Sequence, residues 1–198
     1  MSKKIKAKTL NIPIIITTAF SDAKYLYESI NVGIDAYTEK PVDMMHLLQT
    51  IQKALLPFAQ QKALLKQAYT DKLTGLNNRA ALDRALEKNV YTGLILMDID
   101  EFKVINDLYG SEVGNYVLKE FSQFLTIHNR DNWELFRIGS DEFTFLIHEH
   151  ANKKSCEKTV QNLLEQLKTY YIYEHNLDIK INLNMTMGIS LEKYNVLE

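Results

Sequence analysis

The sequence is poor in the features that brace or tether small domains. It has one cysteine, Cys156, so no internal disulfide can form, and a reducing, cytoplasmic location is expected. It has only three prolines and seven glycines in 198 residues, with no internal repeat and no low-complexity tract. Charge of one sign is also scarce: 25 acidic residues stand against 23 basic ones, so neither nucleic acid nor an anionic membrane surface is an expected partner. No apolar run approaches the roughly 20 residues that span a bilayer. The basic start, Lys3-Lys4-Ile5-Lys6, leads into no signal-peptide core. What is present is ordinary for a globular chain, 46% apolar and 24% charged, and long enough for one large domain or a small one plus a fragment.

Against that background one stretch stands out. Phe136-Arg137-Ile138-Gly139-Ser140-Asp141-Glu142-Phe143 reads as two short apolar strands joined by a turn, with Gly139, Ser140 and Asp141 supplying the turn chemistry. A hairpin tip has no use for adjacent carboxylates, yet Asp141 and Glu142 stand there. Upstream, Leu94-Ile95-Leu96-Met97-Asp98-Ile99-Asp100 is an apolar run ending in two more acids. A strand with carboxylates at its exit, facing a hairpin with carboxylates at its tip, can gather oxygen ligands for Mg²⁺.

In chain order, the pattern predicts a buried strand over Ile12–Ala19, a helix capped by Ser21 or Asp22 and stopped at Gly33, a strand at Ala36–Thr38, and a helix from Asp43 carrying Met44, Leu47, Leu48, Ile51 and Leu55. This segment, about residues 10 to 56, resembles the C-terminal half of a response-regulator receiver domain. Thr18-Ala19 matches that family's switch hydroxyl, Tyr37 its aromatic toggle and Lys40-Pro41 its Lys-Pro pair. The acidic pocket and the phosphate-accepting aspartate of a receiver lie in the half that is absent. A partial layer of this kind exposes strand edges, which pairing with a second copy would cover. Pro57 is expected to break or kink the helix. Phe58, Leu64, Leu65 and Ala68 continue an amphipathic stripe, either a stalk between modules or a helix packed on its own domain.

Beyond a loop at Asp71–Asn78, helices are expected over Arg79–Lys88, Gly114–Thr126 and Asn152–Tyr171, with strands at Leu94–Asp100, in the two arms of the hairpin, and at Ile179–Ile189. This order predicts an α+β fold, an antiparallel sheet backed by helices.

Three motifs lie in order: Asp71-x-Leu73-Thr74-Gly75-Leu76-x-Asn78-Arg79, then Asp98-Ile99-Asp100-x-Phe102-Lys103-x-Ile105-Asn106-Asp107, then Gly139-Ser140-Asp141-Glu142-Phe143. Together they resemble a GGDEF domain over about residues 69 to 190. The resemblance implies a palm-like sheet of the nucleotide-cyclase type with flanking helices. It implies a bacterial signalling enzyme that condenses two GTP into cyclic di-GMP with Mg²⁺ or Mn²⁺, as a homodimer feeding a cyclic di-GMP effector pathway, here in a two-component setting. The implied division is a partial receiver segment at 1–56, a helical linker at 57–70 and a GGDEF domain at 71–198 that ends before the family's last, basic helix. By the same resemblance Asp98, Asp141 and the Ile99 carbonyl hold metal. Asp141 is also the proton acceptor, with Glu142 an auxiliary acid. Lys103 and the backbone around Phe102 face phosphate, Asn106 and Asn115 face guanine, and Gly139 and Ser140 permit close approach.

Several positions depart from the family pattern. Asn115 stands where an Asp is usual, which predicts weaker preference for GTP over ATP. Ser140 replaces a glycine and Ser111 a histidine. In the inhibitory product site Arg130 is kept but Trp133 replaces the Asp, so that site is expected to be absent. The alternative implied by Ser140, Asn115 and the early end is a degenerate domain that binds nucleotide or a protein without turnover.

Overall fold

The computed structural model describes residues 12–19, 34–88, 91–129, 133–148, 153–174 and 178–191. The chain separates into two compact units, Met1–Lys66 and Gln67–Glu198.

In the first unit, β1 (Ile15–Thr18) and β2 (Ala36–Glu39) pair in parallel, Ile15 opposite Ala36. The helix expected from Ser21 or Asp22 to Gly33 lies outside the described residues. The Lys40–Pro41 peptide is cis. Helix α1 (Met44–Tyr69) starts where Asp43 Oδ1 accepts from the Met45 N–H at 2.8 Å, a side-chain cap of the first turn. Pro57 does not break it: the helix continues for 26 residues with that proline inside it. The lost N–H and ring clash cost about 3 kcal/mol, but Ala, Leu, Gln and Lys on both sides have high helix propensity and carry the turn across.

The second unit is built on a four-stranded antiparallel sheet in the order β4-β5-β3-β8: β4 (Trp133–Arg137), β5 (Glu142–Ile147), β3 (Gly93–Ile99) and β8 (Met185–Leu191). Alternation sorts its faces. Ile95, Met97 and Ile99 of β3 and Phe143, Phe145 and Ile147 of β5 join the main core. With them pack Val117, Phe121 and Leu125 of α4 (Ser111–Ile127) and Cys156, Leu163 and Leu167 of α5 (Lys153–Thr169), at helical spacing. Phe121 meets Phe143 edge-on with ring centres 5.2 Å apart. The opposite face is covered in part by α2 (Arg79–Glu87), where Leu82, Phe136 and Leu146 form a smaller core. The rest of that face carries Leu96, Asp98, Thr186 and Gly188, all exposed.

Three boundaries differ from expectation. Helix α4 begins at Ser111, one turn before Gly114, because Gly110 at φ 85° reverses the chain out of α3 (Phe102–Tyr109). The last strand is not continuous over Ile179–Ile189. It divides into β7 (Ile179–Ile181) and β8, separated by Asn182–Asn184. β7 pairs with β6 (Ile172–Glu174), a strand hidden at the end of the predicted helix.

Candidate active site

The acids meet where β3 leaves the sheet. Asp98 lies directly opposite Glu142 on β5 and Thr186 on β8. Like charges facing each other across a ladder are destabilising, so a plain scaffold gains nothing from this pair. Ile99, whose side chain is in the core, donates its N–H to the Asp141 carbonyl at 3.3 Å, which draws the hairpin tip to the end of β3. The Asp98 carboxyl is pushed above its ordinary value, first by partial burial and then by the charges of Asp141, Glu142 and Asp100. Asp100 is held separately: Thr186 Oγ1 donates to its Oδ1 at 2.8 Å and its own N–H donates to the Asn184 carbonyl. A hollow of about 160 Å³ opens here, floored by Leu96 and Ile138 and rimmed by Asp98, Glu142 and Thr186.

The hairpin turn is closed by the Ile138 N–H on the Glu142 carbonyl, 2.9 Å. The Glu142 side chain lies close over Gly139: a Cβ there would lie 2.3 Å from Glu142 Oε2, so that carboxylate would have to swing aside. The Ser140 hydroxyl donates to Asp141 Oδ1.

The turn into α3 is strained. Glu101, between Asp100 and Phe102, sits at φ 55° and ψ 27°, a left-handed conformation that non-glycine residues adopt rarely. No side chain caps the first turn of α3. The N–H groups around Phe102 and Lys103 are therefore open to an anion. Lys103 is exposed on this turn, and Phe102 is buried. Asn106, one turn on, donates its amide to the Phe102 carbonyl at 3.5 Å and lies flat on Gly114 of α4. Asn115 follows Gly114 on the exposed side of α4.

One functional side chain escaped sequence reasoning. Arg137, at the end of β4, places one terminal nitrogen 2.9 Å from Asp71 Oδ1 and donates the other to the Ser140 carbonyl at 2.5 Å. The same Asp71 oxygen accepts from the Thr74 N–H and hydroxyl, at 2.9 and 2.6 Å. Burial alone would raise the Asp71 carboxyl, but the Thr74 bonds and the Arg137 charge outweigh it and hold it low. The first motif is thus a turn, closed at Gly75 with φ 76°. Asn78 of the same motif caps α2 by accepting from the Ala81 N–H, and donates to the Ala68 carbonyl. The only sequence signal for Arg137 was a charge placed inside an otherwise apolar strand.

Of the inhibitory pair, Arg130 lies outside the described residues. Trp133 is a core residue on β4, 5.7 Å from the Phe145 ring, so position 133 offers no carboxylate.

Among the described residues, no three His, Cys, Asp or Glu side chains gather as a closed metal shell. Mg²⁺ does not need one. It is commonly held by one or two carboxylates together with waters and substrate phosphates. The open, mutually repelling carboxylates around Asp98 fit that chemistry and do not fit a closed structural site.

Residues 68–196 match the family described as diguanylate cyclase, GGDEF domain, and residues before 68 fall outside the match. The chain is 38% identical over 124 residues to diguanylate cyclase DgcS of Shewanella oneidensis, covering 58% of this chain and 40% of that protein. It is 32% identical over 128 residues to diguanylate cyclase DgcZ of Escherichia coli, covering 61% and 42%. The chain therefore spans about two fifths of the length of these relatives. The solved coiled coil and GGDEF domain of DgcB from Caulobacter crescentus, in complex with c-di-GMP, superposes with a TM-score of 0.65 over 75% of this chain and 82% of that one. At 19% identity that likeness speaks for the fold alone. No helix among the described residues is long and apolar enough to cross a membrane.

Proposed function

The chain belongs to the GGDEF family, and from that membership we propose that it is a diguanylate cyclase, joining two GTP into cyclic di-GMP with release of two pyrophosphates. The observation that carries the proposal is the convergence of Asp98 and Asp141, from separate elements, at one end of β3. Carboxylates that repel one another at an open strand end are characteristic of sites that bind a cation or do chemistry.

In this reading Asp98, Asp141 and the Ile99 carbonyl hold Mg²⁺ or Mn²⁺. When bound, the cation lowers the pKa of a ribose 3′-hydroxyl and neutralises charge on the triphosphate. Asp141 accepts the proton of the attacking hydroxyl, and Glu142 adds negative charge beside it. Lys103 and the open N–H groups at the start of α3 bind phosphate oxygens and stabilise charge as the α-phosphorus is attacked. Gly139 and Ser140 keep the hairpin tip low enough for the triphosphate to approach. Asn106 and Asn115 recognise the base. An amide at 115 offers one acceptor where a carboxylate offers two, so discrimination against ATP is weak. Each domain holds one nucleotide, so the reaction takes place in a homodimer. Without a carboxylate at position 133, cyclic di-GMP does not inhibit through the Arg130 route.

The motif positions Thr18, Tyr37 and Lys40-Pro41, together with the parallel pairing of β1 with β2, support reading the N-terminal unit as a partial receiver-like segment, and with it a two-component setting. Residues 57–70 serve as its link to the catalytic domain. A second reading, binding without turnover, is favoured by Asn115, where the family usually has an Asp, and by Ser140, where it usually has a glycine.

Incubation of the protein with GTP and Mg²⁺ separates the two. Pyrophosphate release that is lost in Asp141→Ala is the expected result. Nucleotide binding without release supports the second reading, and release undiminished in Asp141→Ala refutes the assignment of the acids.

A further inference from the structure

We infer that Ser140 is a positioning residue of the acid site: its hydroxyl fixes the Asp141 carboxylate so that a single oxygen is left to face a cation. The inference rests on the metal-dependent reading above.

Ser140 is gripped from two sides. Its carbonyl accepts from Arg137 at 2.5 Å, and its hydroxyl donates to Asp141 Oδ1. The grip on the carbonyl is firm. The Arg137 side chain is only 10% exposed, and its second terminal nitrogen is paired with Asp71 at 2.9 Å. Asp71 in turn is pinned by Thr74. The Arg137 Nε is buried with no partner of its own, so the guanidinium is held by packing as well as by its two bonds. The backbone at 140 is thereby set on a fixed base, and the hydroxyl on that backbone reaches the next residue's carboxylate.

A glycine at this position would keep the Arg137 contact, which uses only the carbonyl. It would leave the Asp141 carboxylate free to rotate. With the hydroxyl in place, Oδ1 is engaged and Oδ2 is the unengaged oxygen. Ligation through one oxygen suits a small octahedral cation such as Mg²⁺ or Mn²⁺, whereas Ca²⁺ readily takes both oxygens of one carboxylate. Partners that orient a ligand in this way commonly change metal affinity by about 10- to 100-fold when removed.

The test is Mn²⁺ binding, read from the electron paramagnetic resonance signal of the free ion, with a non-hydrolysable GTP analogue present. It compares the wild type with Ser140→Ala, Ser140→Gly and Ser140→Thr. Ser140→Ala and Ser140→Gly should bind Mn²⁺ about 10-fold more weakly, with the thermal midpoint of Ser140→Ala unchanged because the side chain is exposed. Ser140→Thr, which keeps the hydroxyl, should restore binding. If Ser140→Ala binds Mn²⁺ as the wild type does, or if Ser140→Thr is as weak as Ser140→Ala, the inference is overturned while the metal reading stands. If the wild type binds no Mn²⁺ with the analogue, the metal reading falls and takes the inference with it.

Discussion

Gly114 is where stability and recognition should part company. Glycine inside a helix is about 1 kcal/mol less favourable than alanine, so Gly114→Ala would stabilise α4 by that amount if the methyl had room. It has none: the new Cβ would lie 2.0 Å from Asn106 Oδ1, 3.0 Å from its Cγ and 3.3 Å from Phe102 Cζ. The first distance is more than about 1 Å inside ordinary contact, so something must move. The Asn106 amide is the free end of a side chain, tied only by its 3.5 Å bond to the Phe102 carbonyl, and it is the group that yields. Repacking of this kind costs about 1–3 kcal/mol, against the helical gain of about 1 kcal/mol. The net loss of stability should therefore be no more than about 2 kcal/mol, a shift of a few degrees in Tm. In the proposed site, however, the displaced amide would no longer face the base. One lost hydrogen bond is worth about 1 kcal/mol, so KM for GTP should rise roughly 5- to 10-fold with a smaller change in kcat. Pyrophosphate release at varied GTP, measured beside thermal unfolding of the same samples, provides both numbers. A variant with wild-type KM and a full helical gain in stability would refute the argument, since it would mean that Asn106 does not lie over Gly114.

Four further outcomes are expected. Asp98→Asn should melt above the wild type at neutral pH without metal, because the raised carboxyl destabilises the fold when ionised. The gain should close as pH falls through that raised value, and Mg²⁺ with a GTP analogue should stabilise the wild type but not the variant, all readable by calorimetry. Asp71→Asn should lose about 2 kcal/mol at neutral pH in denaturant unfolding. Because the folded carboxyl lies below its ordinary range, that difference should shrink only below about pH 4, as the wild-type group protonates. Glu101→Val should destabilise by about 1–2 kcal/mol in the same assay, since a β-branched residue fits the left-handed region badly. Asn115→Asp should sharpen selection for GTP in a competition assay against ATP, and an unchanged ratio would remove Asn115 from the base site.

The parts of this architecture that depend on periodicity could be read directly from the chain. The alternation of Ile95, Met97 and Ile99 and the spacing of Val117, Phe121 and Leu125 anticipate the sheet and the helix that backs it. The acids were legible because carboxylates at strand ends have few structural uses. What escaped reading is either a conformation or a long-range contact. Nothing in Asp100-Glu101-Phe102 announces a left-handed residue, since glutamate carries no preference for one. Arg137 finds Asp71 across 66 positions of sequence, and no local pattern encodes that meeting. The alternation of Ile179, Ile181, Leu183 and Met185 continues through Asn182–Asn184, so periodicity alone could not show that the chain leaves one sheet and joins another there. Pro57 is the opposite case: the break that the local rule allows does not occur, because the helix formers on either side carry the turn across.

Glu142 and Phe143 are neighbours that point opposite ways, one toward solvent and the other edge-on to Phe121 in the interior. The acidic rim and the packed centre are thus two ends of a single short lever. A substitution at Phe121, deep in α4, is therefore expected to reach the Glu142 carboxylate through Phe143. In the proposed enzyme the chemistry could then be tuned from the inside, with Asp98, Asp141 and Glu142 unchanged.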